Sequence, residues 1–551
     1  MRFPSIAGLA LILAGCATVP PPAASPSPTA PQISVDTLRD VTRTLSDDSF
    51  EGRAPGTPAE DKTVALIAQR FAAAGLKPGN GESWFQPVPL VELTARPGSL
   101  RVTGGSAPLD FAYRTDMMAV TYRVRPRVEL RASEVVFVGY GINAPERGWN
   151  DYAGLDVKGK TVVILVNDPD WQSPALEGRF DGRAMTYYGR WTYKFEEAAR
   201  QGAAAAFVVH DTEPAAYPWS VVVSSWSGPQ LNMDAANEHM DQTLVNGWLT
   251  NDAARRLLAA GGQDLAKLTA AAKQAGFKAV PLGLKASIAI DNSIRRQASR
   301  NVIGILPGKT RPDDYVLYSA HWDHLGRCEP APDGDDICNG ALDNASGTAG
   351  LIALAEAFGK AGAPDRSILF LAVTAEESGL LGSAYYAEHP LYPLARTVGG
   401  INIDGLNVNG RARDLIVIGG GKSELEDYLK RAAADVGRVV EQEPTPERGY
   451  YYRSDHFSFA KQGVPMIYFE SGDDLIEGGR ERGRARADDY TTNRYHGPKD
   501  EYDPNWDWSG AIDDLGLYYR IGRELATGDA WPNWYPTSEF RAVRDASRGV
   551  K

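Results

Sequence analysis

The stretches that decide the fold are NVIGILPGKTRPDDYVLYSAH (301–321), GTAGLIALAEAFGKAG (347–362), SILFLAVTAEE (367–377) and GINIDG (400–405). Their short runs of Val, Ile, Leu and Phe do not alternate with polar residues, which predicts strands buried on both faces. The segment at 347–362 carries apolar side chains at three- and four-residue spacing, which predicts a helix. Strands and helices in alternation imply an α/β fold with a mainly parallel, helix-covered sheet. In such open sheets ligands gather at the carboxyl ends of the strands. His321, Glu377 and Asp404 fall at three of these ends.

Toward the N-terminus the pattern changes. Between about Leu90 and Ile290, short β-rich runs such as EVVFVGYGI, KTVVILVND and AAAFVVH are separated by Gly, Pro and Asp, the pattern of an inserted β-rich domain. Residues 35–79 read as two helices around a Gly/Pro turn. The expected organisation is a catalytic domain split between 32–90 and 291–530, an insert at 91–290, and a tail at 531–551. The first residues, MRFPSIAGLALILAGC, combine Arg2, a short apolar run and small residues, as a secretion signal does. Leu13-Ala14-Gly15-Cys16 resembles a bacterial lipobox. The expectation is therefore a signal peptide at 1–15, lipid on Cys16, and an exported protein held at the membrane, the outer membrane facing the periplasm. Residues 16–31 are proline-rich and uncharged, an extended spacer.

The 551 residues carry a net charge of −12, which argues against nucleic acid as a partner. With Cys16 lipidated, Cys328 and Cys338 form the natural disulfide pair of an oxidising compartment, stiffening the loop between His321 and Asp343. Several motifs lead nowhere. Gly139–Ala144 resembles a dinucleotide loop, but no helix follows to receive a phosphate. GILPGKT at 304–310 is one residue short of a phosphate loop and runs into Arg311-Pro312. Asp333, Asp335 and Asp336 lack the spacing of a calcium loop.

Five residues carry the chemistry: His321, Asp343, Glu377, Asp404 and His496. Imidazole and carboxylate are the ligands of catalytic zinc, and five of them suffice for two ions. Asp323, two residues after His321 in an extended segment, falls on the same side and can accept from the second ring nitrogen, fixing the tautomer. His324 reads as a supporting residue, and His210 in the insert as structural. Asp343 lies in a Gly- and Asn-rich turn where one carboxylate can bridge two cations. Glu376 and Glu377 close a buried strand, so their side chains are expected to diverge, one toward metal and the other toward water.

Six blocks in this order, SAHWDHLG, GALDNASGTAG, TAEESGLLGS, INIDGLN, YRSDHFSFAKQGVPMIYF and YHGPKDEYD, resemble the co-catalytic zinc aminopeptidases, relatives of bacterial leucyl aminopeptidase and glutamate carboxypeptidase II. The resemblance spans roughly residues 32–90 and 295–530. It implies two zinc ions per chain, peptide substrates, His321 and Asp404 on one zinc, Glu377 and His496 on the other, and Asp343 between them. It also implies Glu376 as general base and Asp323 as the residue behind a ligand. An oxyanion-binding tyrosine is implied among Tyr450, Tyr451 and Tyr452, with spacing favouring Tyr451. The insert resembles a protease-associated domain. Three rival activities share parts of the pattern: a carboxypeptidase, a one-zinc glutaminyl cyclase, and a receptor-like protein without catalysis. The oligomeric state is not legible.

Overall fold

The computed structural model describes residues 33–549. The signal peptide, Cys16 and the spacer lie outside the described residues. Among the described residues no helix is long and apolar enough to cross a membrane.

The strands Met466–Ile467, Thr397–Asn402, Arg311–His321 and Arg366–Val373 lie side by side in that order, all parallel. Arg366–Val373 is buried along its whole length, as the unbroken apolar run predicts. Alternate residues feed two cores, because successive side chains of a strand point to opposite faces. Ile368, Phe370 and Ala372 join Val316, Tyr318 and Ala320 in one core, under the helices Val35–Leu45, Pro58–Ala73, Gly347–Ala361 and Ser509–Thr527. Leu369, Leu371 and Val373 join Leu317 in the other, against Tyr386 of Leu381–Glu388 and Phe459 of His456–Lys461. Helix Ser509–Thr527 comes very close to the sheet: Tyr318 donates its hydroxyl hydrogen to the Tyr518 carbonyl at 2.7 Å, and Gly522 lies against the Tyr318 ring with no room for a Cβ.

The β-rich middle of the chain continues this sheet. Strand Val280–Leu306 runs 27 residues. Its C-terminal end pairs antiparallel with Arg366–Val373, and its N-terminal part pairs antiparallel with Arg127–Phe137. Beyond it, Arg127–Phe137, Thr161–Leu165, Ala205–His210 and Val245–Thr250 are parallel to one another, with Met117–Val120 antiparallel at the edge. Phe85–Pro97 lies antiparallel along Val280–Leu306 from Val302 to Ile290. Residues 91 and 290, the expected limits of the insert, thus fall inside two paired strands. Short apolar runs separated by turns marked the change of pattern; they carried no sign that one strand crosses it.

The loop beside the site is closed as expected by a Cys328–Cys338 disulfide, next to a small ladder of Gly326–Arg327 with Ile337–Cys338. His210 ends its strand with Nε2 3.0 Å from the Tyr217 carbonyl, among Trp219 and Trp248, a packing role. Gly139 and Gly141 both take positive φ in a turn followed by the short strand Asn143–Ala144 and a single helical turn at Pro145–Arg147, with no α-helix to receive a phosphate.

Candidate metal centre

The five predicted ligands converge. His321 is the last residue of its strand, and its Nε2 lies 3.3 Å from Asp343 Oδ1 and 3.1 Å from Asp404 Oδ1. His496 Nε2 lies 3.3 Å from Asp343 Oδ2 and 3.1 Å from Glu377 Oε2. Asp343 therefore presents one oxygen to each of two imidazole–carboxylate pairs, the arrangement of a bridging ligand. Burial opposes charge on the His496 ring, but the hydrogen bonds to Asp343 and Glu377 outweigh it and raise its pKa to about 10. Carboxylates that converge on imidazoles in this way offer a cation its ligands, and hard carboxylate oxygens with imidazole nitrogens suit zinc.

His324 competes with His496 for the second position. Its Nδ1 is 2.7 Å from Glu377 Oε1, and His324, Asp343 and Glu377 group closely enough to hold an ion, as do His321, Asp343 and Asp404. We favour His496 as the ligand, because it meets one oxygen from each of two carboxylates just as His321 does. His324 then holds the remaining oxygen of Glu377.

Backbone geometry at the two glutamates differs from the sequence expectation. The strand ends at Val373, Ala375 takes a positive φ of 53°, and Glu376 and Glu377 follow in the turn. Asp323 controls this turn: its Oδ1 accepts from the Glu376 N–H at 3.1 Å and its Oδ2 from the Glu377 N–H at 3.4 Å. Its carboxylate is 3.8 Å from His321 Nδ1, and the nearer acceptor for that nitrogen is the Asp323 carbonyl at 3.2 Å. The expectation placed the Asp323 carboxylate on the second ring nitrogen of His321; in the structure the carboxylate instead orients the two glutamates, and its own carbonyl meets the ring. Burial raises its carboxyl to about 7. Burial likewise raises Glu376 well above the ordinary glutamate range, opposed by His321 and helped by Glu377 and Asp404. A carboxyl held that high has the affinity for a proton that a general base needs.

Three supporting residues escaped the sequence reading. Asp500 accepts from the N–H groups of Leu342 at 3.0 Å and Asp343 at 3.1 Å, tying the His496 loop to the bridging carboxylate. Asn344 Oδ1 accepts from the Gly405 N–H at 2.8 Å, and its amide donates to the Ile403 carbonyl at 3.1 Å, fixing the Asp404 loop on the same turn. Arg53, fully buried, donates to the carbonyls of Trp322, Asn339 and Gly340 at 2.8, 2.6 and 2.9 Å. Each stands in a quoted block or just after a helix, but a carboxylate or guanidinium that binds backbone leaves no spacing signature.

The tyrosine assignment changes. Tyr451 is buried, with its ring 4.6 Å from His456 and its hydroxyl without a partner. It belongs to an apolar cluster with Phe457, Trp534 and Phe540, and only its neighbours Tyr450 and Tyr452 line the cavity over the metal cluster. A compact turn at Tyr450–Tyr452 points the middle ring inward, which spacing along an extended chain does not foresee. Tyr495 is the phenol beside the ligands. It stacks on His496 at 3.8 Å between ring centroids and lines the same cavity. Loss of solvent, then the charge of Asp343, push its hydroxyl above the ordinary tyrosine range, so it remains a donor.

The residues form a candidate metal centre in which Asp343 is shared between two imidazole–carboxylate pairs. Residues 301–519 match the family model of peptidase family M28. Aminopeptidase NAALADL1 of Mus musculus is 37% identical over 130 residues, 22% of this chain and 16% of the mouse protein. Aminopeptidase YwaD of Bacillus subtilis (strain 168) is 30% identical over 186 residues, 33% of this chain and 37% of that protein. The chain thus spans well under half the length of either relative. Among solved structures, the aminopeptidase from Aneurinibacillus sp. strain AM-1 aligns over 90% of this chain and 94% of its own at 20% identity, with a TM-score of 0.46.

If Asp323 orients the site as described, Asp323→Ala will weaken zinc binding by about 10–100-fold. Metal titration followed by elemental analysis checks this; unchanged affinity removes Asp323 from the site.

Proposed function

We propose that this protein is a zinc aminopeptidase that removes N-terminal residues from peptides, using two zinc ions. The observation that carries this is the geometry of Asp343, one oxygen to each of two imidazole–carboxylate pairs, with the raised carboxyl of Glu376 alongside. The names of the relatives, both aminopeptidases, support the same reading. His321 and Asp404 would hold one zinc, Glu377 and His496 the other, and Asp343 both. Zinc bound there supplies a Lewis acid that polarises the scissile carbonyl and makes water more acidic.

The chain's own residues do the rest. Glu376 takes the proton of the attacking water and returns it to the leaving amine. The phenol of Tyr495 donates to the carbonyl oxygen as negative charge develops on it. The substrate's free α-amine is cationic and is drawn to the carboxylates of the cluster, which restricts cleavage to the first residue. Export and lipid attachment at Cys16 remain part of the proposal, supported by the Leu13–Cys16 motif alone; metabolic labelling with palmitate should mark the native protein and leave Cys16→Ser unlabelled.

Hydrolysis of aminoacyl, N-blocked and C-terminal Glu peptides, with and without a chelator, tests the activity. Cleavage is expected only where the N-terminus is free and only without the chelator; cleavage of N-blocked peptides alone would sink the reading. Glu376→Gln should keep its zinc and lose about 10²–10⁴-fold in kcat. Tyr495→Phe should lower kcat by about 100-fold, in the range of a lost oxyanion donor, whereas Tyr451→Phe should lower it far less. The reverse order in the tyrosine pair would restore Tyr451 to the site.

A further inference from the structure

One face of a small three-stranded sheet walls the catalytic cavity and carries two carboxylates that no cation meets. Strand Asp414–Val417 lies between Val439–Glu441, parallel to it, and Phe469–Ser471, antiparallel. Ile416 pairs with Glu441 on one side and with Glu470 on the other. Paired residues of neighbouring strands share a face, as do residues two apart along one strand. The Ile418 N–H donates to the Tyr468 carbonyl at 3.0 Å and the Gly419 N–H to Glu443 Oε2 at 2.8 Å, which carries the same face on through Ile418, Tyr468 and Glu443. All six of these residues line the cavity of about 1000 Å³ that contains the metal cluster. The face is tied to that cluster, because the Tyr468 hydroxyl lies between the Asp404 carbonyl, at 3.0 Å, and a carboxylate oxygen of Glu470.

Most acids of the wall are already paired. Arg480 meets Glu441 at 2.5 Å and Asp414 at 3.2 Å, Arg484 meets Asp473 at 3.5 Å, and Lys461 meets Glu196 at 2.9 Å. Among the described residues Glu443 and Glu470 form no ion pair. Glu443 is only 7% exposed, and its Oε1 is buried without a hydrogen-bond partner. Burial raises its carboxyl above the ordinary range, and Lys422 and Arg183, which oppose this, are themselves bound to Glu539 at 3.2 Å and Glu447 at 2.5 Å. A carboxylate oxygen withdrawn from water and left unmet is costly unless a ligand completes it. Glu388 and Asp488 line the cavity unpaired as well, but both are exposed on helices, Leu381–Glu388 and Gly479–Asn493, and neither lies on this face.

We propose, resting on the aminopeptidase reading, that Ile416, Ile418, Glu443 and Glu470 receive the side chain of the substrate's first residue and select lysine or arginine there. The two isoleucines suit the methylene stem of such a side chain, and the two carboxylates suit its cationic head. With the α-amine at the metal cluster and Glu470 one phenol away from the Asp404 loop, the first residue is the one whose side chain extends over this face.

The test measures initial release of the first residue from lysyl-alanyl-alanine, norleucyl-alanyl-alanine, alanyl-lysyl-alanine and alanyl-norleucyl-alanine by the zinc-loaded protein. Norleucine keeps the stem of lysine and lacks its charge. Wild type should cleave the lysyl peptide with a kcat/KM at least about 10-fold above that for the norleucyl peptide, the range of one charge-assisted contact, and should treat the two alanyl peptides alike. In Glu470→Gln and in Glu443→Gln the lysyl-to-norleucyl ratio should fall toward one, whatever the absolute rate, and Glu470→Asp should keep part of it. Because the readout is a ratio within one protein preparation, partial misfolding does not mimic it. A wild-type ratio near one, or a ratio that survives both glutamine variants, overturns the side-chain site and leaves the aminopeptidase standing. An equal preference for lysine in the second position overturns the assignment to the first residue. Failure to cleave any of the four overturns the aminopeptidase reading itself.

Discussion

Everything near the site answers to one electrostatic constraint: Asp323, Asp343, Glu376, Glu377, Asp404 and Asp500 are crowded at the carboxyl ends of neighbouring strands, largely out of water. Carboxylates in such a place repel one another and lose hydration, so they persist only where protons, cations or N–H groups meet them. The chain supplies each of these. Backbone N–H groups of Leu342, Asp343, Glu376 and Glu377 point at Asp500 and Asp323. Imidazoles face Asp343, Glu377 and Asp404 from two sides. Arg53, from the N-terminal segment, stands behind the cluster; burial lowers its pKa to about 10, yet the carboxylates of Asp323, Asp500, Asp343 and Glu377 favour its charge.

The division of labour follows from this. Residues that meet acceptors from two loops, His321 and His496, bring those loops together, while residues that bind the main chain, Asp323, Asp500 and Asn344, set the positions of the loops. The turn after Val373 is the clearest case. Its shape is not that of a strand end, and Asp323 holds both of its glutamate N–H groups in place.

The candidate ligands were legible because their chemistry is restrictive: few residue types bind zinc, and His321, Glu377 and Asp404 stand at or just past strand ends where apolar runs stop. The sheet was legible for a related reason, since unbroken runs such as Ser367–Val373 are incompatible with a solvated face. Residues that act through the main chain were not legible. Arg53, Asp500 and Asn344 bind carbonyls and N–H groups, which every residue has, so no partner type marks them. Tyr451 was misplaced because three adjacent tyrosines were read along an extended chain, whereas the turn sends the middle ring into the apolar cluster and leaves the outer two at the cavity. Tyr495, next to a ligand, was passed over for the same triplet.

Strand Val280–Leu306 has a bearing on how the chain comes together. It pairs with Phe85–Pro97 on one side and Arg366–Val373 on the other, so the catalytic sheet is closed across a segment encoded between its own first and later strands. Pairing of Phe85 with Val302 must wait until the whole intervening stretch has emerged, and contacts so far apart in sequence are slow to form. Every candidate metal ligand is encoded after that strand. The gene therefore spells out the enclosure ahead of the reactive groups it surrounds, and the β-rich segment cannot be trimmed away without cutting through the backbone on which the centre is hung.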